Sequence, residues 1–157
     1  MFKFKLRGFL KISIEAILVI FQFIIIILHF IKWEFNLNKE IIQVNSVSSF
    51  VGFLIIISAS FFMLVAIKEL GTNLSPFPRP KANGFLITSG IYRFMRHPMY
   101  YSLILISFGF FITKLSFYYL FLTISLIFVI KIKINLEEQY LKKKFKKYIL
   151  YKDKVHY

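Results

Sequence analysis

Long apolar runs alternate with short polar ones along this chain, at lengths that suit a membrane. Residues 12–31 form an apolar run of 20 and residues 47–67 one of 21, each matching the ~20 residues a helix needs to cross a ~30 Å hydrocarbon core. These predict two spans. Lys3, Lys5, Arg7 and Lys11 before the first run imitate a signal peptide. That run is longer than the usual ~7–15 residues and no small-x-small cleavage site follows, so an uncleaved span is expected.

A third run, residues 99–130, is broken only around Thr113, Lys114 and Ser116. A lone lysine at mid-span is costly, so this run predicts a helical hairpin with its tip near Lys114. The first arm, residues 99–113, makes only ~22 Å of helix; it tilts, starts before Pro98 or crosses only part of the bilayer. The second arm borrows residues 131–134, because lysine stems snorkel. Farther on, Leu141, Phe145 and Tyr148 recur at i, i+4, i+7 among Lys142, Lys143, Lys144, Lys146 and Lys147. That pattern predicts a C-terminal amphipathic helix on the inner leaflet.

Glycine and proline mark where regular structure stops. Seven of the ten in the chain (Gly71, Pro76, Pro78, Pro80, Gly84, Gly90 and Pro98) fall within residues 68–98, which cannot be helical throughout. The same stretch carries Phe77, Phe85, Leu86, Ile87, Ile91, Tyr92, Phe94 and Met95, enough apolar side chains to pack, and an ordered loop is expected. The fold class is therefore all-α: an integral membrane helical bundle of about four membrane-embedded helices, two spans plus a hairpin, with a loop and a C-terminal amphipathic helix. It divides into N-terminal spans (1–67) and a module carrying the chemistry (68–157).

Composition adds direction to this picture. Of 157 residues 58% are hydrophobic, and the net charge is +14; so apolar a chain is no disordered basic tail, and nucleic acid is not expected as a partner. Eighteen of the 21 basic residues lie in the N-terminal segment, the 68–98 loop and the C-terminal segment, so the positive-inside rule puts both termini and the loop in the cytoplasm. Trp33, beside the outer end of the first span, suits an interfacial anchor. The chain has no Cys and three His, which excludes thiol chemistry and leaves little material for a metal site.

The candidate chemistry lies where polar groups converge. Tyr92, Arg93, Arg96, His97 and Tyr100 fall within nine residues at the foot of the third apolar run, and Glu137 with Glu138 stands at the foot of the last. A basic cluster of this kind also serves as an anchor to anionic headgroups, and Glu138 is spaced to pair with Lys142. His29 and Glu15, inside the first span, are expected to pair with neighbours or snorkel rather than to act; Lys11 is i,i+4 from Glu15.

Two strings narrow the reading. Thr88, Ser89, Gly90, Tyr92, Arg96, His97, Pro98 and Tyr100, followed by Glu137, Glu138, Leu141, Phe145, Tyr148 and Tyr151, resemble the isoprenylcysteine carboxyl methyltransferase and phospholipid methyltransferase family of membrane enzymes. The resemblance covers about the last 90 residues. Ser102 stands where the family usually has glycine, and Phe145-Lys146 where it usually has Phe-Gly.

The resemblance implies methyl transfer from S-adenosylmethionine to a lipid-like or prenylated acceptor carried by the bilayer, with a carboxylate or amine as the methylated group. It implies a cofactor site built from Gly84, Phe85, Leu86, Ile87, Tyr92, His97, Pro98, Met99, Tyr100 and Glu137 or Glu138, with Arg96 and His97 nearest the chemistry and no metal. At the start of a helix, His97 serves as a cap, a cofactor hydrogen bond or a base. Two other classes fit the same pattern less closely. One is an NADPH-dependent sterol- or steroid-type reductase, whose comparable element usually reads RHPNY where this chain has Met99; the other is a nonenzymatic scaffold that binds anionic lipid.

Overall fold

The computed structural model describes residues 2–31 and 44–155, with side chains from residue 14 onward. Trp33 and the side chain of Lys11 lie outside that set. The described chain is helical: α1 (Phe2–Leu28), α2 (Ser46–Leu70), α3 (Pro98–Lys114), α4 (Phe117–Lys144) and α5 (Tyr148–Lys154), with no strand among the described residues.

Local sequence accounts for the ends of these helices. Asn45 caps α2 by accepting from the amide of Ser48, and the Ser48 hydroxyl accepts from the amide of Asn45 in return, a reciprocal pair that satisfies two donors at a helix start. Gly71 ends α2 with φ +49°. Pro98 begins α3, where its missing N–H costs nothing. The hairpin tip falls at Leu115, which takes a left-handed φ of 44°, and at Ser116, whose hydroxyl caps α4.

The helices pack in the order α1, α4, α3, α2. Leu18 and Ile25 of α1 meet Leu122, Leu126, Val129 and Ile130 of α4 in the main core, with Tyr100, Leu103 and Ile104 of α3 against it. The α2–α3 contact is close. A β-carbon on Gly109 would stand 2.6 Å from a side-chain carbon of Ile56, and one on Gly52 would stand 2.7 Å from the Gly109 carbonyl oxygen. Gly52, Ala59 and Ala66, seven residues apart on α2, are buried, and small residues at such spacing let two apolar helices approach. Ser102, in the place of the family glycine, is buried in α3.

Polar groups inside the bundle satisfy one another. His29 shares hydrogen bonds of 2.8 Å with the Ile25 carbonyl and the Ser107 hydroxyl, which bonds Thr123 in turn. This chain ties α1 to α3 and α4, so His29 pairs with its neighbours as expected. Glu15 is buried too, but its described partners are distant in sequence: Arg79 at 3.3 Å and the hydroxyl of Tyr140.

The outer surface is apolar. Phe21, Ile24, Phe50, Phe53, Phe61, Leu64, Phe121 and Phe128 are all exposed, far more than a soluble domain leaves uncovered. Two helices, Ser46–Asn73 and Phe117–Lys144, are long and apolar enough to cross a membrane, and Ile14–Leu28 and Pro98–Lys114 are shorter apolar helices. At 17 residues, α3 spans only ~25 Å.

Two expectations need correction. Residues 137–151 do not form a separate amphipathic helix: α4 continues unbroken from Phe117 to Lys144, then Phe145 turns extended and α5 begins at Tyr148. Lysine and glutamate are good helix formers, so the change from apolar to charged sequence at Lys131 does not end the helix. Lys133, in turn, does not snorkel. Its ammonium is buried and donates to Gln22 of α1 and, at 2.9 Å, to the Pro76 carbonyl.

Candidate functional site

The 71–97 segment folds as an ordered flap over one end of the bundle. The Asn73 side chain clasps Phe85 through both backbone groups, accepting from its amide at 3.2 Å and donating to its carbonyl at 3.1 Å. Gly84 closes a turn onto Lys81. Glu69 at the end of α2 accepts from the Ile91 amide at 2.8 Å and so fixes the 3-10 turn Gly90–Arg93 that carries Tyr92. Arg79, bonded to Glu15 and lying over the Tyr140 ring, and the Lys133–Pro76 bond fasten the middle of the flap to α1 and α4. The C-terminal segment closes the other side. Tyr148, Tyr151 and Val155 are buried against Leu86, Leu141 and Phe145, and the Tyr151 hydroxyl donates to the Tyr92 carbonyl.

Between flap, foot of α3 and C-terminal segment lies a cavity. Gly84, Phe85, Leu86, Ile87, Tyr92, Arg96, His97, Met99, Tyr100 and Glu137 all line it, so ten of the twelve candidate residues converge from four separate stretches of chain. Pro98 and Glu138 do not line it. Pro98 is buried as the first residue of α3.

Glu138 sits behind the wall and meets three side chains: Arg96 at 3.3 Å, the His97 ring at 3.5 Å, and Lys152 of α5. One carboxylate thereby joins α4 to the foot of α3 and to the C-terminal helix. The spacing to Lys142 suggested a surface pair; the groups found at Glu138 are these. His97 stands at the position capping α3 but makes no side-chain cap bond; its ring stacks on Tyr100 at 5.9 Å between centroids.

Glu137 points the other way, into the cavity, whose wall it shares with Tyr100, and Lys133 is a nearby positive charge. Motif reading did not single out Phe77, Arg79 or Tyr148 as site residues, yet each lines the same cavity. Tyr148 is almost fully buried, and its hydroxyl has no hydrogen-bond partner among the described residues. Burial first, and then the charge of Glu138, raises its pKa; burial and then Glu137 do the same for Tyr92. Both hydroxyls therefore stay protonated and able to donate.

A profile of the phospholipid methyltransferase family matches residues 47–148, about two thirds of the chain, and the chain belongs to that family. The match reaches back through α2, beyond the two motif strings, and leaves α1 outside. Searches of curated proteins and of solved structures returned no match. Membership makes the chain a methyltransferase that uses S-adenosylmethionine and, as the family does, acts on a lipid-like acceptor. That decides against the reductase and the nonenzymatic scaffold.

The cavity suits such a cofactor by its donor set. An amino acid carboxylate and ammonium call for a cation and an anion, ribose hydroxyls for hydrogen-bonding groups, and adenine for an aromatic or apolar wall. Arg96 and His97, Glu137, the unpartnered Tyr148 hydroxyl, and Phe77, Phe85 and Phe145 offer each of these around one space.

Proposed function

We propose that this cavity holds S-adenosylmethionine and that the chain methylates the polar head of a lipid-like acceptor entering from the bilayer at the cytoplasmic face. The observation that carries the reading is the meeting of Glu137, Arg96, His97, Tyr92 and Tyr148 in one cavity at the end of an apolar bundle. Glu137 is the ligand for the cofactor ammonium. Arg96 and His97 face the carboxylate, and the stretch from Gly84 to Ile87, with Tyr92, Met99 and Tyr100, walls the remainder. Glu138 holds Arg96 and His97 in place.

When bound, the cofactor supplies an electrophilic methyl group for in-line displacement, so the protein needs no covalent nucleophile; positioning carries most of the work. A carboxylate acceptor is already a nucleophile. An ammonium acceptor must first lose a proton, and His97, oriented by Glu138, is the group placed to take it. The flap and the C-terminal helix keep water from the site. Residues 68–157 act as the catalytic module on the spans of 1–67, with Glu15 and Gln22 reaching from α1 to steady it. Both termini face the cytoplasm, because 18 of the 21 basic residues then lie on that side.

The test is transfer of tritiated methyl from labelled S-adenosylmethionine into a membrane lipid extract, followed by fractionation of the products. Label in the lipid phase is expected, and its loss in a folded His97→Ala variant. Cofactor binding with no label in any lipid fraction would mean that the acceptor class is wrong.

A further inference from the structure

A second hollow lies against the C-terminal helix, on the far side of the wall formed by Leu86, Phe145 and Tyr151. Its lining brings Arg93 and Thr88 of the flap together with Lys146, Lys147 and Lys154 of the C-terminal segment, and among the described residues no acidic side chain lines it. Arg93 is 53 or more residues from these lysines in sequence but shares one concavity with them. Lys144, also in its wall, is already spoken for by the carbonyls of Lys81 and Ala82. The rim is apolar and uncovered: Leu150, itself a lining residue, is 65% exposed, and neighbouring Phe94 is 75% exposed.

We infer that this basin binds the phosphate of an anionic membrane lipid, with Arg93, Lys147 and Lys154 around the headgroup and Leu150 and Phe94 set into the surrounding leaflet. A concave group of cations with a hydroxyl suits a phosphate oxyanion. The apolar rim is what selects a lipid over a soluble phosphate, since large exposed apolar side chains beside basic ones belong at a membrane interface. The basin is separate from the cofactor cavity, and neither Arg93, Lys147 nor Lys154 lines that cavity.

Native mass spectrometry of the delipidated full chain in detergent, titrated with phosphatidylglycerol or phosphatidylcholine, tests this. The wild type should retain phosphatidylglycerol in preference to phosphatidylcholine. Each cation near a headgroup is worth about fivefold in affinity, so an Arg93→Gln, Lys147→Gln, Lys154→Gln triple variant should lose phosphatidylglycerol affinity by about 100-fold. A triple variant of equal charge made outside the basin, at the exposed Lys131, Lys142 and Lys143, should keep it. Unchanged S-adenosylmethionine binding in both variants reports intact folding, independently of lipid retention. Equal losses in the two variants would show diffuse surface attraction and overturn the basin. Full displacement of the lipid by millimolar inorganic phosphate would overturn the lipid as its occupant.

Discussion

The carboxylate of Glu69 occupies the place where a β-carbon on Gly90 would stand, with Oε1 only 1.9 Å from that position. Gly90 also takes φ +57°, a left-handed conformation that costs other residues about 1–2 kcal/mol. The glycine of the Thr-Ser-Gly string is therefore needed twice, for the turn and for the approach of the side chain that holds Ile91. Gly90→Ala should destabilise the protein clearly more than Gly71→Ala, where φ is +49° but a β-carbon meets nothing within 4 Å. Thermal unfolding in detergent compares the two. Equal losses would mean that Glu69 yields at no cost.

Glu138 joins three elements through Arg96, His97 and Lys152, and removing one partner of a buried ion pair costs about 3–5 kcal/mol. Glu138→Gln should release the C-terminal helix, seen as faster amide exchange over residues 148–155, with cofactor binding weakened as a consequence. Lys152→Met should reproduce the faster exchange and leave Arg96 and His97 paired. A Glu138→Gln variant with native exchange in this helix would remove Glu138 from its joining role.

Close contact between α2 and α3 makes a prediction about rescue. In Gly109→Ala the new methyl meets the Ile56 side chain at 2.6 Å, whereas in Gly52→Ala it meets the backbone oxygen of Gly109 at 2.7 Å. Overpacking of this kind costs about 1–3 kcal/mol. Adding Ile56→Ala should restore much of the stability lost in Gly109→Ala and little of that lost in Gly52→Ala, as read by melting temperatures of the single and double variants.

Alkaline pH should loosen the C-terminal helix. Burial, offset in part by nearby Arg96, pushes the pKa of Tyr151 up to about 12 from a usual value near 10. A group whose folded pKa is raised contributes stability that is complete below the unfolded pKa and is lost as pH rises toward the folded one. Stability should therefore fall between about pH 10 and 12, with a shallower slope in Tyr151→Phe, which cannot ionise there. An identical slope in the variant would remove Tyr151 from the effect.

Much of this architecture is readable from local pattern. The hairpin tip beside Lys114, the Gly- and Pro-rich flap and the helix start at Pro98 all follow from one or two neighbouring residues, and ten of the twelve candidate residues meet in one cavity. What local pattern does not show is pairing across the chain. Glu15 looked toward Lys11 at helical spacing, but its described partners are Arg79 and Tyr140, 64 and 125 residues away. Lys133 reads as a snorkelling residue because its stem is long, yet Gln22 and the Pro76 carbonyl offer its ammonium partners indoors. Tyr148 counted as one member of an apolar stripe; only the fold shows it lining the cavity, with its buried hydroxyl unpartnered among the described residues. Glu137 and Glu138 are adjacent and alike in sequence, and the helix turns one to the cavity and the other to the wall behind it.

That difference gives the most direct measurement. S-adenosylmethionine affinity, determined by calorimetry on detergent-purified protein, should fall in Glu137→Gln by roughly 10- to 150-fold, the loss of one charged hydrogen bond, with an unchanged melting temperature in the absence of cofactor. Lys142→Ala, on the exposed side of α4, should bind as the wild type does. Normal binding by Glu137→Gln together with loss in Lys142→Ala would contradict the placement of the cofactor in this cavity.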